Sequence, residues 1–243
     1  MRTPLVAGGA TAALLIGLAA GSASMSGLTI TAPPGAAQAA LTGATVTNSL
    51  RDRFTVATVA PLDGQVSDFD GGAGFTADSG PTWSADSTWS NPAADYVIRT
   101  SGAGLSTARV AWLSRSSTVG VRVSNYGGTA VAAGVLIGGN AAGTSGLAAV
   151  LFDSGGLRFG LFRIDAGSPT ACSSLLNLNG NPARTITITY DPSTAGTASA
   201  TISGGGGGTV TSTCSLTGIN GAYAGLYSNS ATTTRYDNFS ATL

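Results

Sequence analysis

The chain has no histidine, no glutamate and no lysine: its 11 basic residues are all arginine and its 11 acidic residues all aspartate. Each absence removes a mechanism. Without histidine, a serine or cysteine nucleophile has no imidazole to activate it. With only two cysteines besides, the common zinc sites cannot be assembled. Without lysine, Schiff-base chemistry is excluded. A catalytic carboxylate pair would have to be two aspartates. Charged residues make up only 9% of the chain and form no basic run, so the electrostatic footprint of a nucleic-acid binder is missing.

What is present suits a β protein. The 36 glycines, with many Ser, Thr and Ala, favour short strands joined by turns. Val, Ile, Leu and aromatic residues are sufficient for a core. Residues 1–39 read as a secretion signal. Arg2 is its positive start, Leu5 to Ala20 is apolar and uncharged, and Pro33 and Pro34 stop any helix. Ala37-Gln38-Ala39 then places small residues where a signal peptidase reads them. An earlier cleavage site near Ala23 and an uncleaved anchor are the alternative readings. Cleavage after Ala39 removes Arg2, leaving 10 arginines against 11 aspartates, a net charge of −1. Residues 40–243 then form a single exported domain with no further apolar segment of spanning length. In that compartment Cys172 and Cys214 are expected to form a disulfide, worth roughly 3–4 kcal/mol on the chain-entropy model.

The domain reads as strands nearly throughout. In Thr185-Ile186-Thr187-Ile188-Thr189-Tyr190 the apolar residues alternate with threonine, the period-2 pattern of a half-buried strand. Val119, Val121 and Val123 repeat it. In Leu157 to Ile164, Phe159, Leu161 and Arg163 share one phase, and Arg158, Phe162 and Ile164 the other. Further strands are expected at Thr45–Ala57, Tyr96–Thr100, Ala108–Leu113, Val131–Ile137, Leu147–Asp153, Thr197–Ile202, Thr209–Cys214, Tyr223–Tyr227 and Arg235–Thr242. Asp63 to Pro92 reads as loop around one or two short strands. Gly204 to Gly208 reads as a hairpin loop, since a phosphate cradle needs a following helix. No convincing helical period follows the signal. The expected class is all-β, a two-sheet antiparallel sandwich or barrel.

The two ends carry a resemblance. Gly225-Leu226-Tyr227-Ser228-Asn229-Ser230 and Arg235-Tyr236-Asp237-Asn238-Phe239-Ser240 resemble the closing strands of bacterial concanavalin A-like (laminin-G-like) jelly rolls. Arg51-Asp52-Arg53-Phe54 looks like the opening strand of such domains, and Trp83 and Trp89 like the tryptophans that follow it. Val135-Leu136-Ile137 and Leu157-Arg158-Phe159 fit the middle strands. The resemblance implies a concanavalin A-like jelly-roll sandwich in which the first and last strands pair, Arg51–Phe54 beside Tyr236–Phe239. It also implies a structural calcium on Asp237, with Asp52 as a further ligand; such a site is built from oxygen alone.

Laminarinase-type members of the fold carry two glutamates flanking an aspartate on one strand, a motif impossible in a chain without Glu. Asp68 and Asp70 are a close pair, but in a Gly-rich stretch expected to be a turn. A non-catalytic carbohydrate- or surface-binding domain is therefore the leading expectation, with a polysaccharide or cell-surface glycan as partner, no nucleic acid, and no membrane span once the signal is cleaved. A structural protein of the cell envelope or extracellular matrix is the alternative, and an Asp-based glycoside hydrolase a third reading. Sugar binding needs an aromatic platform and planar polar groups. Trp83, Trp89, Tyr126 and Arg158 are the candidates; Trp112, amid apolar neighbours, is expected in the core.

Overall fold

The computed structural model describes residues 49–70, 75–76, 80–111, 118–126, 132–153, 155–180, 182–191, 196–205, 208–230 and 234–242. The expected signal at 1–39, and Trp112, lie outside them. The described residues contain strands, turns and bends but no helix; hence none is long and apolar enough to cross a membrane.

Two eight-stranded antiparallel sheets form the body. The first runs in the order Val210–Ser215 (β17), Thr197–Ser203 (β16), Arg184–Asp191 (β15), Thr118–Ser124 (β9), Arg235–Thr242 (β19), Ser49–Asp52 (β1), Asp68–Asp70 (β3) and Phe75–Thr76 (β4). The second runs Ser168–Ala171 (β13), Leu157–Asp165 (β12), Gly146–Asp153 (β11), Ala132–Gly139 (β10), Tyr223–Ser230 (β18), Ala103–Ala111 (β8) and Trp83–Ser84 (β5), with Leu176–Asn177 (β14) also pairing β12. A small third sheet joins Val59–Pro61 (β2), Trp89–Pro92 (β6) and Ile98–Arg99 (β7).

The alternating sequence sets which side chains meet. Ile186, Ile188 and Tyr190 point inward from β15, as do Val119, Val121 and Val123 from β9. They join one core cluster with Val135 and Ile137 of β10, Leu147 and Leu151 of β11, and Phe159 and Leu161 of β12. Burial of these apolar faces, at about 25 cal/mol per Å² removed from water, is the main force closing the sandwich.

The first and last strands pair as expected, with Asp52 opposite Phe239 and Arg51 opposite Ser240. The opening strand is shorter than Thr45–Ala57 suggests, its described part being Ser49–Asp52. The Asp52 carboxylate accepts the Phe54 backbone N–H at 2.6 Å, and Phe54 takes a φ of 57°. That local turn ends the ladder. Asp63 to Pro92 holds more strand than expected: β3, β4, β5 and β6 all fall there, and Asp68 and Asp70 lie on a strand rather than in a turn. Strands β13 and β14 lack any alternation to announce them; β13 is exposed at all four residues.

Cys172 and Cys214 are bonded, their Cα atoms 5.7 Å apart. Cys214 lies on β17, an edge strand of the first sheet, and Cys172 directly follows β13, an edge strand of the second. The bridge therefore ties the sheets along one side of the sandwich. Beside it, the Ser212 and Ser173 hydroxyls hydrogen-bond at 2.7 Å.

Candidate functional site

Each large sheet has one face in the core and one outer face. On the first sheet the outer face is made of hydroxyls. One row crosses six strands, Thr213–Ser199–Thr189–Thr118–Thr242–Ser49. The next runs Thr211–Thr201–Thr187–Gly120–Ser240. Arg122 and Asp237 add an ion pair at 3.2 Å, with half of the Arg122 side chain exposed. Such a pair contributes little in water.

The expected platform residues are not on either outer face. Trp83, Trp89 and Tyr126 are 1%, 0% and 2% exposed. Each buried ring has a partner for its polar tip, as buried Trp and Tyr require. The Trp83 indole N–H donates to Asp52 at 2.6 Å, and the ring meets Phe239 edge-on at 5.0 Å. The Trp89 indole N–H donates to the Ser106 hydroxyl at 2.7 Å, with Tyr236 at 5.3 Å. The Tyr126 hydroxyl donates to the Pro182 carbonyl and accepts from buried Arg184 at 3.0 Å. The serines around the tryptophans reflect strand alternation and hydrogen-bond supply, not exposure of the rings.

The two expected calcium ligands do not share a site. The Asp52 carboxylate is 8% exposed and turned inward, accepting from Phe54 and Trp83. It borders a cleft of about 440 Å³ with Gln65 and Asp68. Asp237 faces outward to Arg122. One ion cannot bridge carboxylates on opposite sides of a sheet, and each already has hydrogen-bond donors in place. Among the described residues no group of three or more His, Cys, Asp or Glu side chains is placed to hold a metal ion.

Arg158, the fourth candidate, does lie on an outer face, that of the second sheet. There it pairs across the strands with Phe152 on β11 and Asn177 on β14. Phe152 and Phe162 meet edge-to-face with centroids 5.6 Å apart. With Leu105 they are the partly buried residues packed over a second, buried apolar cluster of Ala132, Leu136, Ala148, Val150, Ile164 and Tyr227, none more than 5% exposed. One row of this face reads Arg109–Gly225–Leu136–Ala148–Phe162, and the next Thr107–Tyr227–Gly134–Val150–Gly160. A Cβ on Gly134 would stand 1.9 Å from the Ala149 carbonyl oxygen, so the close approach of the neighbouring strand requires glycine. Burial pushes the Tyr227 hydroxyl up to about 12. Arg163, in the opposite phase, pairs with Asp165 at 2.7 Å.

At the β8 end this face deepens into a cavity of about 460 Å³, lined by Asp86, Leu105, Ser106, Thr107, Arg109 and Thr144 among others. One wall is the loop from Asn140 to Ser145. The Asn140 side chain shapes that loop by accepting the Thr144 N–H at 2.9 Å. Gly143 sits at φ +69°, where an added Cβ would stand 2.0 Å from the Thr107 hydroxyl and 2.6 Å from Arg109 Nη1. Arg109 Nη1 donates to the Thr107 carbonyl at 3.0 Å and hydroxyl at 2.9 Å. Its Nε is buried without a hydrogen-bond partner. Burial pulls this guanidinium below its ordinary value, against the charges of Tyr223, Asp86 and Asp63. For Asp86, burial raises the carboxyl. Hydrogen bonds from Ser106 and Thr88 and the Arg99 charge outweigh that, so it lies below its usual value.

Sequence reading missed Phe152, Phe162 and Arg109. For the phenylalanines a signal existed. Leu147–Asp153 and Leu157–Ile164 are apolar in both phases, whereas a sheet with one wet face should alternate. For Arg109 none existed, because nothing local shows that the Asn140–Ser145 loop folds onto β8.

No family model matches the sequence, and no curated protein matches it either. Solved structures do. The GH43 BlXynB protein from Bacillus licheniformis superposes with a TM-score of 0.52 at 13% identity, over 79% of this chain and 39% of that one. The chain thus spans about two fifths of that protein's length. The carbohydrate binding module CBM66 from Bacillus subtilis gives a TM-score of 0.48 at 11% identity, over 65% of this chain and 94% of the module. The carbohydrate recognition domain of Emp47p gives 0.47 at 11% identity, over 80% and 93%. At such identities the likeness concerns architecture alone. The fold is a two-sheet antiparallel jelly-roll sandwich, concanavalin A-like, as the terminal strands imply.

Proposed function

We propose that the chain is an exported, non-catalytic carbohydrate-binding domain that holds a glycan on the outer face of its second sheet. The observation that carries this reading is the chemistry of that face. The Phe152–Phe162 pair offers apolar rings for the C–H faces of a sugar. Arg158 beside it and Arg109, Thr107 and Asp86 at the cavity offer hydrogen bonds to hydroxyls. An apolar cluster with a few convergent polar groups is the usual make-up of a small-molecule or glycan site. The first sheet, with hydroxyls and one ion pair, has no comparable ring surface among its described outer side chains.

Export is supported by the Cys172–Cys214 bond, which persists in oxidising compartments. The non-catalytic part rests on residue types. Retaining glycoside hydrolysis needs two carboxyl groups about 5 Å apart, and a chain without Glu must find both among its 11 aspartates.

The test is a binding screen of the mature domain against an array of plant, fungal and bacterial polysaccharides, with a parallel assay for new reducing ends. Saturable binding without turnover is expected. Turnover that disappears on replacing an aspartate overturns the non-catalytic part. No binding to any glycan overturns the reading and favours a structural role.

A further inference from the structure

We infer that the Asn179–Gly180 step modifies itself: in the folded domain it closes to a succinimide and opens to isoaspartate, leaving a carboxylate on the Arg184 guanidinium. The inference does not depend on glycan binding. An Asn-Gly step is open to this chemistry because glycine puts no side chain in the path of its own backbone nitrogen. The chain has two such steps, Asn179-Gly180 and Asn220-Gly221, and the fold treats them differently. Asn179 and Gly180 are both exposed. Gly180 takes a φ of +68°, and a Cβ there would meet only Pro182 Cδ at 3.6 Å. Its N–H has no hydrogen-bond partner among the described residues. The Gly221 N–H, in contrast, donates to the Gly138 carbonyl at 3.2 Å, and an added Cβ would stand 1.9 Å from the Gly139 carbonyl oxygen. A nitrogen held in this way is not free to turn toward the preceding side chain.

The reaction balances with water as the sole co-reactant. The Gly180 nitrogen gives its proton to hydroxide and attacks Cγ of Asn179. The new N–Cγ bond closes a five-membered ring. The side-chain nitrogen takes a proton from water and leaves as ammonia, which restores the hydroxide. Water then adds to one of the two ring carbonyls, and the C–N bond at that carbon breaks. Opening at Cγ gives aspartate. Opening at the former main-chain carbonyl gives isoaspartate, with the chain running through Cβ and Cγ and the α-carboxylate free.

Arg184 decides both the rate and the product. It is 3% exposed, and its Nη2 donates to the Asn179 carbonyl oxygen at 2.6 Å. Nε donates to the Tyr126 hydroxyl at 3.0 Å and Nη1 to the Gly204 carbonyl at 3.2 Å, so the guanidinium is fixed on that oxygen. The Leu178 N–H, bonded to the Leu157 carbonyl at 2.8 Å, anchors the chain just before it. A cation on the carbonyl draws electrons from the attached peptide nitrogen, which makes the Gly180 N–H easier to ionise. The same donor stabilises the oxyanion that forms when water adds to that carbonyl after ring closure. The carbon that opens is therefore the one whose oxygen Arg184 already holds. A neutral acceptor becomes a carboxylate, and the hydrogen bond a charge-assisted one.

The experiment incubates the full domain at neutral and mildly alkaline pH, folded and in urea, and follows both steps over time. Cleavage after arginine, with the disulfide reduced, places them in separate peptides, Ile164–Arg184 and Thr185–Arg235. Mass spectrometry reads the exchange of an amide nitrogen for oxygen, and labelling with an isoaspartate methyltransferase separates the two products. In the folded domain Asn179 is expected to react at least tenfold faster than Asn220, and faster as pH rises. In urea the two rates should converge. The share of isoaspartate at Asn179 should be larger in the folded domain than in urea, a difference that mere exposure of the loop does not produce. Asn179→Gln removes the label from its peptide in the folded domain. Arg184→Gln slows the step and returns the product ratio to its value in urea. Should that variant fail to fold, the comparison of folded and unfolded domain on the unaltered sequence still decides. Equal rates at Asn179 and Asn220 in the folded domain overturn the inference, as does the absence of isoaspartate at Asn179. A product ratio that is the same folded and in urea overturns the role given to Arg184.

Discussion

The two outer faces of the sandwich share strand geometry and differ in almost every side chain. The first sheet presents Thr213, Ser199, Thr189, Thr118, Thr242 and Ser49 in one row. The second presents Arg109, Gly225, Leu136, Ala148 and Phe162. Threonine satisfies the steric preference of a strand for β-branched residues while keeping a hydroxyl in water. A row of it makes a stable face with little tendency to bind anything apolar. The second face gives up that safety. Its apolar cluster is buried, and only Leu105, Phe152 and Phe162 reach partly into solvent.

The largest effect expected from any change lies between the faces. Trp83→Ala removes a ring packed on Phe54 and Phe239 and strips the buried Asp52 of a donor. It should cost about 3–5 kcal/mol in urea unfolding. An unchanged midpoint with lost glycan binding would return Trp83 to the role of an exposed platform. Reducing the Cys172–Cys214 bond should cost slightly less, roughly 3–4 kcal/mol, read as a lowered melting temperature. Because the bridge ties edge strands, this change should leave affinity per folded molecule almost intact.

The faces themselves are separated by paired substitutions. Phe152→Ala with Phe162→Ala should lower glycan affinity at least tenfold, about 1.4 kcal/mol. Thr187→Ala with Thr201→Ala on the other sheet, both half-buried, should change it less than about twofold, since surface substitutions of this kind are near neutral. Equal effects would erase the distinction between the faces. The smallest effect concerns acid. The Asp86 carboxyl lies below its ordinary 3.8 in the folded domain, so the stability it contributes is present above that value and is lost as pH falls through the folded one. Asp86→Asn should flatten the acid limb of a stability–pH curve, while the neutral limb keeps its shape.

Much of the fold was legible because alternation states it directly. Ile186, Ile188 and Tyr190 against threonine leave no choice of face, and the motifs around Asp52 and Phe239 foretold that the ends would pair. The candidate site was less legible. Trp83 and Trp89 are the expected aromatic platform, yet a two-residue strand such as Trp83–Ser84 buries one residue and exposes the next. Asp52 accepts from the Trp83 indole, a partnership between residues 31 positions apart that no local pattern encodes. That Arg158 and Arg163 point to opposite sides of β12 was legible, because phase is a property of one strand. Arg109 depends on a loop from a distant hairpin, which is a tertiary fact.

The central claim is that one outer face binds a glycan and the other does not. It is tested most directly by following backbone amide resonances of the labelled domain while titrating the best-bound oligosaccharide from the array. The account predicts shifts confined to the second sheet, centred on Leu105 to Arg109, Leu147 to Phe152 and Arg158 to Ile164, with Thr185 to Tyr190 and Thr197 to Ser203 silent. Shifts centred on the threonine strands instead would contradict it.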